Sequence, residues 1–76
     1  MENRIKRILI DVLDIKEGEI TENFGPNDAV LWDSMNNLRL VTALEEEFGL
    51  QLTMNEIHQM GTFAQIIEVI GRHLSS

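Results

Sequence analysis

Leu31-Trp32-Asp33-Ser34-Met35 marks the start of the helix around which the rest of the chain is arranged. It stands where a segment rich in turn residues gives way to a long amphipathic pattern. Aspartate is a preferred helix N-cap, because its carboxylate accepts hydrogen bonds from backbone N–H groups that the first turn leaves unpaired. Asp33 is therefore read as the cap and Ser34 as the first helical residue. The Ser34 side chain then points to solvent beside the positive end of the helix dipole. Free N–H groups and the dipole both favour negative charge there, so the position suits a group carrying a phosphate ester. Asp-Ser before a helix is, by itself, an ordinary cap, and the surrounding pattern has to carry any further weight.

Downstream, residues 34–49 read as a helix. At about 100° per residue, Leu40, Val41, Leu44, Glu47 and Phe48 share one broad side. Apart from Glu47 at its edge, that side is core. Ser34, Met35, Leu38, Thr42, Glu45 and Glu46 share the other. Apolar side chains left exposed between acids read as a contact surface. Gly49 supplies the C-cap. Upstream, residues 15–33 are the least regular part. Gly25-Pro26-Asn27-Asp28 is turn chemistry. A connection this long needs apolar anchors or a function, and Ile15, Ile20, Phe24, Val30, Leu31 and Trp32 are the expected anchors. Asp14-x-Lys16-x-Gly18 lacks the oxygen ligands of a calcium loop.

Residues 2–14 form a first helix, with Ile5, Ile8, Leu9, Val12 and Leu13 on the stripe of a core-facing face. The polar residues around Gly18 favour a stop soon after Leu13. Residues 50–53 cross over, with Leu50 and Leu52 expected inside. Residues 54–60 form a short helical turn with Asn55 as its expected cap, and Gly61 breaks it. Thr62 caps a last helix over about 63–74, where Phe63, Ile66, Ile67, Ile70 and Leu74 form another stripe, broadened by Val69. The Ser75-Ser76 end is expected to fray. The fold class is all-α: a single domain over residues 1–76, a small bundle of three longer helices plus one short one, with a long loop between the first two.

The chain has 76 residues, no Cys and a formal net charge of −7. Stability must then come from packing, without disulfides or Cys-based metal sites. The charge is unevenly placed: residues 1–16 carry +1, residues 17–50 carry −7 with Arg39 their only cation, and residues 51–76 carry −1. An acidic surface around Ser34 argues against nucleic acid, whose phosphates need Lys and Arg. It favours basic partners steered in by the field. Two histidines without Cys do not make a zinc site, and His58 and His73 read as surface helix residues. No phosphate-cradling glycine loop occurs. The start, Met1-Glu2-Asn3-Arg4, has no signal-peptide h-region, and no apolar run reaches membrane-span length. A cytoplasmic monomer is expected, with neither catalytic residues nor a metal.

Asp33-Ser34-Met35, followed by Leu38, Leu40, Val41 and Ala43-Leu44-Glu45-Glu46-Glu47-Phe48-Gly49, resembles the second helix of an acyl carrier protein. The resemblance covers essentially the whole chain. It implies that Ser34 carries a 4′-phosphopantetheine arm derived from coenzyme A, with Asp33 helping to engage the phosphopantetheinyl transferase and its magnesium. It implies a carrier and not an enzyme, shuttling acyl thioesters between acyl-loading and acyl-using enzymes in fatty-acid, lipid or specialised-metabolite biosynthesis. Met35, Leu38, Arg39, Thr42, Glu45 and Glu46 would form the docking face for their basic patches. Leu40, Leu44, Phe48, Ile57 and Ile66 are candidates for lining an acyl-chain shelter, and ordinary core is the plainer reading of each. Asn36, Arg39, His58 and Gln59 depart from the acids usual in fatty-acid-synthesis carriers, which points toward a specialised pathway. The alternative from another class is a small helical interaction module that is never modified. A small hydrolase ranks third.

Overall fold

The computed structural model describes residues 1–29 and 31–75. Helix α1 (Glu2–Leu13) buries Ile5, Ile8, Leu9 and Leu13, the stripe that periodicity picks out, while Val12 is only half-buried. It ends because Asp14 turns left-handed (φ 52°) and its N–H donates to the Ile10 carbonyl at 3.0 Å. Aspartate tolerates that conformation better than most residues. Gly18, read as the stop signal, lies further on.

Helix α2 (Ser34–Phe48) runs to Gly49, whose φ of 64° gives the left-handed cap. Leu40, Val41 and Leu44 face the core and Phe48 is half-buried. The Phe48 ring lies under the Arg4 guanidinium, 4.6 Å from its centroid. Arg4 also donates through Nε to the Glu47 carboxylate at 2.9 Å, tying α1 to α2. Both partners are exposed, so the pair contributes less than about 1 kcal/mol.

Helix α3 (Met54–Gln59) is capped by Thr53 and not by Asn55. The Thr53 hydroxyl accepts the Glu56 N–H at 3.2 Å and the Glu56 carboxylate accepts the Thr53 N–H at 2.9 Å. This reciprocal box follows from Thr three residues before Glu, a signal present in the sequence. Helix α4 (Phe63–Ser75) buries Phe63, Ile66, Val69 and Ile70. Ile67 is half-buried, and Leu74, expected in the stripe, is 52% exposed. Ser75 is the last residue of α4, while Ser76 lies outside the described residues. Leu50 and Leu52 are half-buried.

Three long helices and one short one thus form the expected bundle, with no strand among the described residues. The core is shared by Ile5, Leu9 and Leu13 of α1, Leu40 and Leu44 of α2, and Ile66 and Ile70 of α4, each at most 1% exposed. No described helix is long and apolar enough to cross a membrane.

The loop between α1 and α2 is packed, not free. It contains two 3-10 turns, Glu17–Glu19 and Pro26–Asp28. Ile20, Phe24, Ala29 and Trp32 are buried and Ile15 is half-buried. Val30 lies outside the described residues. Leu31 departs from its expected anchoring role, at 44% exposure. Its side chain lies at the rim of a surface recess beside Leu13 and Ile15. The loop also caps α4: the Phe24 carbonyl accepts the Phe63 N–H at 2.8 Å, and the Glu22 carbonyl accepts the Ala64 N–H at 3.1 Å. These bonds satisfy N–H groups that a helix start leaves unpaired.

Gly25 is required by this approach. A Cβ there would lie 2.9 Å from the Gly61 carbonyl oxygen, a backbone atom. Gly25→Ala gains at most about 1 kcal/mol by restricting the unfolded chain. Overpacking against backbone costs about 1–3 kcal/mol, so a net loss is expected in urea unfolding. An unchanged midpoint would mean that the loop and the α3–α4 junction separate easily.

The Glu56 carboxylate also reaches the His73 Nε2 of α4, at 2.6 Å. His73, read as a surface residue, is in fact half-buried against α3. The Thr53 N–H foremost, and His73 in addition, hold the Glu56 carboxyl below its ordinary value of 4.5. The unfolded chain then binds the proton more readily than the folded one, so the contribution is complete above 4.5 and is lost as pH falls through the lowered value. Glu56→Gln should lower stability above 4.5 and flatten the acid-unfolding profile below it. An acid limb identical to the parent's would show that Glu56 contributes nothing to it.

Candidate functional site

The first turn of α2 is fixed from several directions. Asp33 is extended (φ −104°, ψ −175°) and its Oδ1 accepts the Asn36 N–H at 2.9 Å. Its carbonyl accepts the Asn37 N–H at 2.8 Å. Asn36 Nδ2 donates to the Leu31 carbonyl at 2.6 Å, and Trp32 Nε1 donates to Asn37 Oδ1 at 3.0 Å. Trp32 is buried, with its ring stacked on Phe24 at 5.8 Å between centroids. Trp32 therefore anchors the helix start to the core, while Ser34 itself is exposed as the first residue of α2. Its hydroxyl takes no part in the cap, which Asp33 provides.

Asn36 and Asn37 are positioning residues that the sequence does not assign. Two amides just after a cap are a signal of local hydrogen bonding, but which groups they meet depends on how Leu31 and Trp32 approach the helix.

Ser34 lies on the wall of an open hollow of about 410 Å³ between the start of α2 and α3. Trp32, Ile57 and Met60 supply its apolar lining, and Asp33, Asn37 and His58 its polar one. Next to it along α2, a second hollow of about 450 Å³ is lined by Met35, Leu38, Arg39, Thr42, Ala43 and Glu46. Met35 and Leu38 are 67% and 64% exposed. Arg39 makes no ion pair among the described residues. The Thr42 hydroxyl donates back to the Leu38 carbonyl at 3.0 Å, so it presents mainly its methyl group outward.

The fold thus brings together five of the six residues read as a docking face. Glu45 is the departure. It is half-buried, and its carboxylate accepts the Leu52 N–H at 2.8 Å, clamping the crossover to α2. Ala43 belongs to the surface and was not read as such; its small side chain gives no sequence signal.

Of the residues considered for an acyl-chain shelter, Leu40, Leu44 and Ile66 are fully buried in the common core, while Phe48 and Ile57 are half-buried. Among the described residues, no three His, Cys, Asp or Glu side chains converge as a metal site. A family model described as "Phosphopantetheine attachment site" matches residues 3–70.

Proposed function

The chain belongs to the phosphopantetheine-attachment family, a family of carriers and not of enzymes, and from that premise we propose that Ser34 Oγ is the point where its 4′-phosphopantetheine is joined. The observation that carries this reading is the exposed Ser34 hydroxyl at the start of α2, beside an open hollow and on a first turn held by Asp33, Asn36 and Trp32. The residues fit the group. The N-terminal end of α2 favours a phosphodiester, and the hollow offers apolar surface next to it. When attached, the arm supplies a terminal thiol that holds an acyl group as a thioester. Ser34 needs no base of its own chain, since the partner transferase activates the hydroxyl, whose oxygen bonds to the phosphopantetheine phosphorus of coenzyme A as the pyrophosphate bond breaks and adenosine 3′,5′-bisphosphate leaves.

Asp33 keeps the first turn in place, so that a transferase meets a preformed helix end, and it lies beside the hydroxyl where the transferase's magnesium would be engaged. Met35, Leu38, Arg39, Thr42 and Glu46 form the surface that acyl-loading and acyl-using enzymes touch. Weak, electrostatically steered docking suits a carrier that must release each enzyme in turn. The carrier acts as a cytoplasmic monomer in fatty-acid, lipid or specialised-metabolite biosynthesis.

The test is intact mass spectrometry after incubation with coenzyme A, magnesium and a broad-specificity phosphopantetheinyl transferase. A gain of one phosphopantetheine mass is expected. No gain in a folded sample would favour the unmodified interaction module.

Arg39 places a positive charge in a docking surface whose one acid is Glu46, within the stretch 17–50 that carries −7. Its long-range effect on a basic partner is repulsive, and rim charges act mainly on association rates. Arg39→Glu should therefore raise turnover by fatty-acid-synthase enzymes several-fold at low salt and less at high salt. No gain would remove the argument that Arg39 directs the carrier away from such partners.

A further inference from the structure

A phosphodiester on Ser34 Oγ adds a fixed negative charge beside the Asp33 carboxylate, at the mouth of the hollow between α2 and α3. Of the side chains lining that hollow, Asp33 is the only carboxylate and His58 the only one that can become a cation. His58 is exposed in the last turn of α3 and has no hydrogen-bond or ion-pair partner among the described residues. Its neighbour Ile57 lines the same hollow with Trp32 and Met60.

Resting on the Ser34 attachment proposed above, we propose that His58 is a positioning residue for the arm: its imidazolium pairs with the Ser34 phosphodiester and seats the root of the arm against Trp32, Ile57 and Met60. Imidazole changes charge near neutral pH, whereas a phosphodiester stays anionic throughout that range. The contact belongs to the protonated ring and is lost with the neutral one.

Arg39 of α2 is unpaired among the described residues but lines the neighbouring hollow and not this one, and other charged groups on the surrounding elements are already engaged. Glu56, on the same helix, holds the Thr53 N–H and His73. Arg72 of α4 donates to Gln59 Oε1 at 2.8 Å. Asp28 of the loop accepts the Gly25 N–H at 2.9 Å. Asp33 of α2 caps its own helix. Asp33, the one carboxylate among the side chains lining this hollow, adds to the case for a cation there.

The test is ³¹P NMR of the holo protein, titrated from about pH 5.5 to 8, the range in which imidazole changes charge. The parent's phosphodiester resonance should shift through one inflection. His58→Gln should give a flat line at the high-pH position. His58→Lys, a cation throughout, should give a flat line near the low-pH position. Because His58 is exposed, the variants are expected to melt with the parent, which circular dichroism checks. A flat parent titration, or an inflection that survives in His58→Gln and so comes from His73 or the amino terminus, would overturn the proposal. No mass gain on loading would sink the Ser34 assignment and this inference with it; a mass gain with a flat titration would sink this inference alone.

Discussion

Ser34→Ala is expected to abolish the phosphopantetheine mass gain completely while leaving the fold intact. The two halves of this outcome have separate causes. Loading requires an oxygen nucleophile at that position, and alanine has none. Stability does not depend on it, because the cap of α2 is made by Asp33 Oδ1 with the Asn36 N–H and not by the serine hydroxyl. The side chain is exposed and alanine is the strongest helix former. The change in unfolding free energy should stay within about 0.5 kcal/mol, as for surface substitutions clear of caps and core. Parallel mass spectrometry and thermal melts read both halves. A variant that still gains the mass would place the attachment elsewhere. A variant that melts well below the parent would show that Ser34 serves the helix end, and its loading result would then need a folded control that also lacks the hydroxyl, such as Ser34→Asn.

The largest effect on stability is expected at Phe24. It lies in the loop between α1 and α2, yet is only 1% exposed. Its ring stacks on Trp32, and its carbonyl takes the first N–H of α4. Phe24→Ala removes the ring from a site bounded by three elements, and such truncations cost about 3–5 kcal/mol. A chain of this length has roughly 4–11 kcal/mol in total, so a large part of its stability would be lost. With a urea dependence of about 1 kcal/mol per molar, the midpoint should fall by about 3 M or the protein should be partly unfolded in buffer. Loading of Ser34 should slow as well, because Trp32 would lose the surface that holds it one residue before Asp33. A loss below about 1 kcal/mol, the usual size for a surface change, would mean that the loop is not part of the core.

Features controlled by short-range physics were legible along the chain. Helix periodicity gave α1, α2 and α4, because a side chain's face follows from its position along the chain. Asp33 and Gly49 bounded α2, because capping is a hydrogen-bonding and backbone-angle matter settled within four residues. The exposed Met35 and Leu38 beside Ser34 were visible for the same reason. Thr53 carries the same kind of local signal, through Glu56 three residues on, and reading Asn55 as the cap passed over it.

Features that depend on where separate elements meet emerged only from the packed fold. Leu74 lies on the apolar stripe of α4 but stays exposed, since periodicity names a face and not how far its neighbour extends. Glu45 lies on the outer side of α2 by angle, yet the returning chain brings the Leu52 N–H to its carboxylate. Gly25 looks like turn chemistry, and its actual constraint is the Gly61 carbonyl 36 positions away in the chain. His58 and Ser34, on different helices, line one hollow only because the loop between α1 and α2 packs against the start of α4 and the crossover lays α3 beside the start of α2. Local hydrogen bonds and side-chain periods are written along the chain; the meeting of distant residues is set by which buried faces pack together.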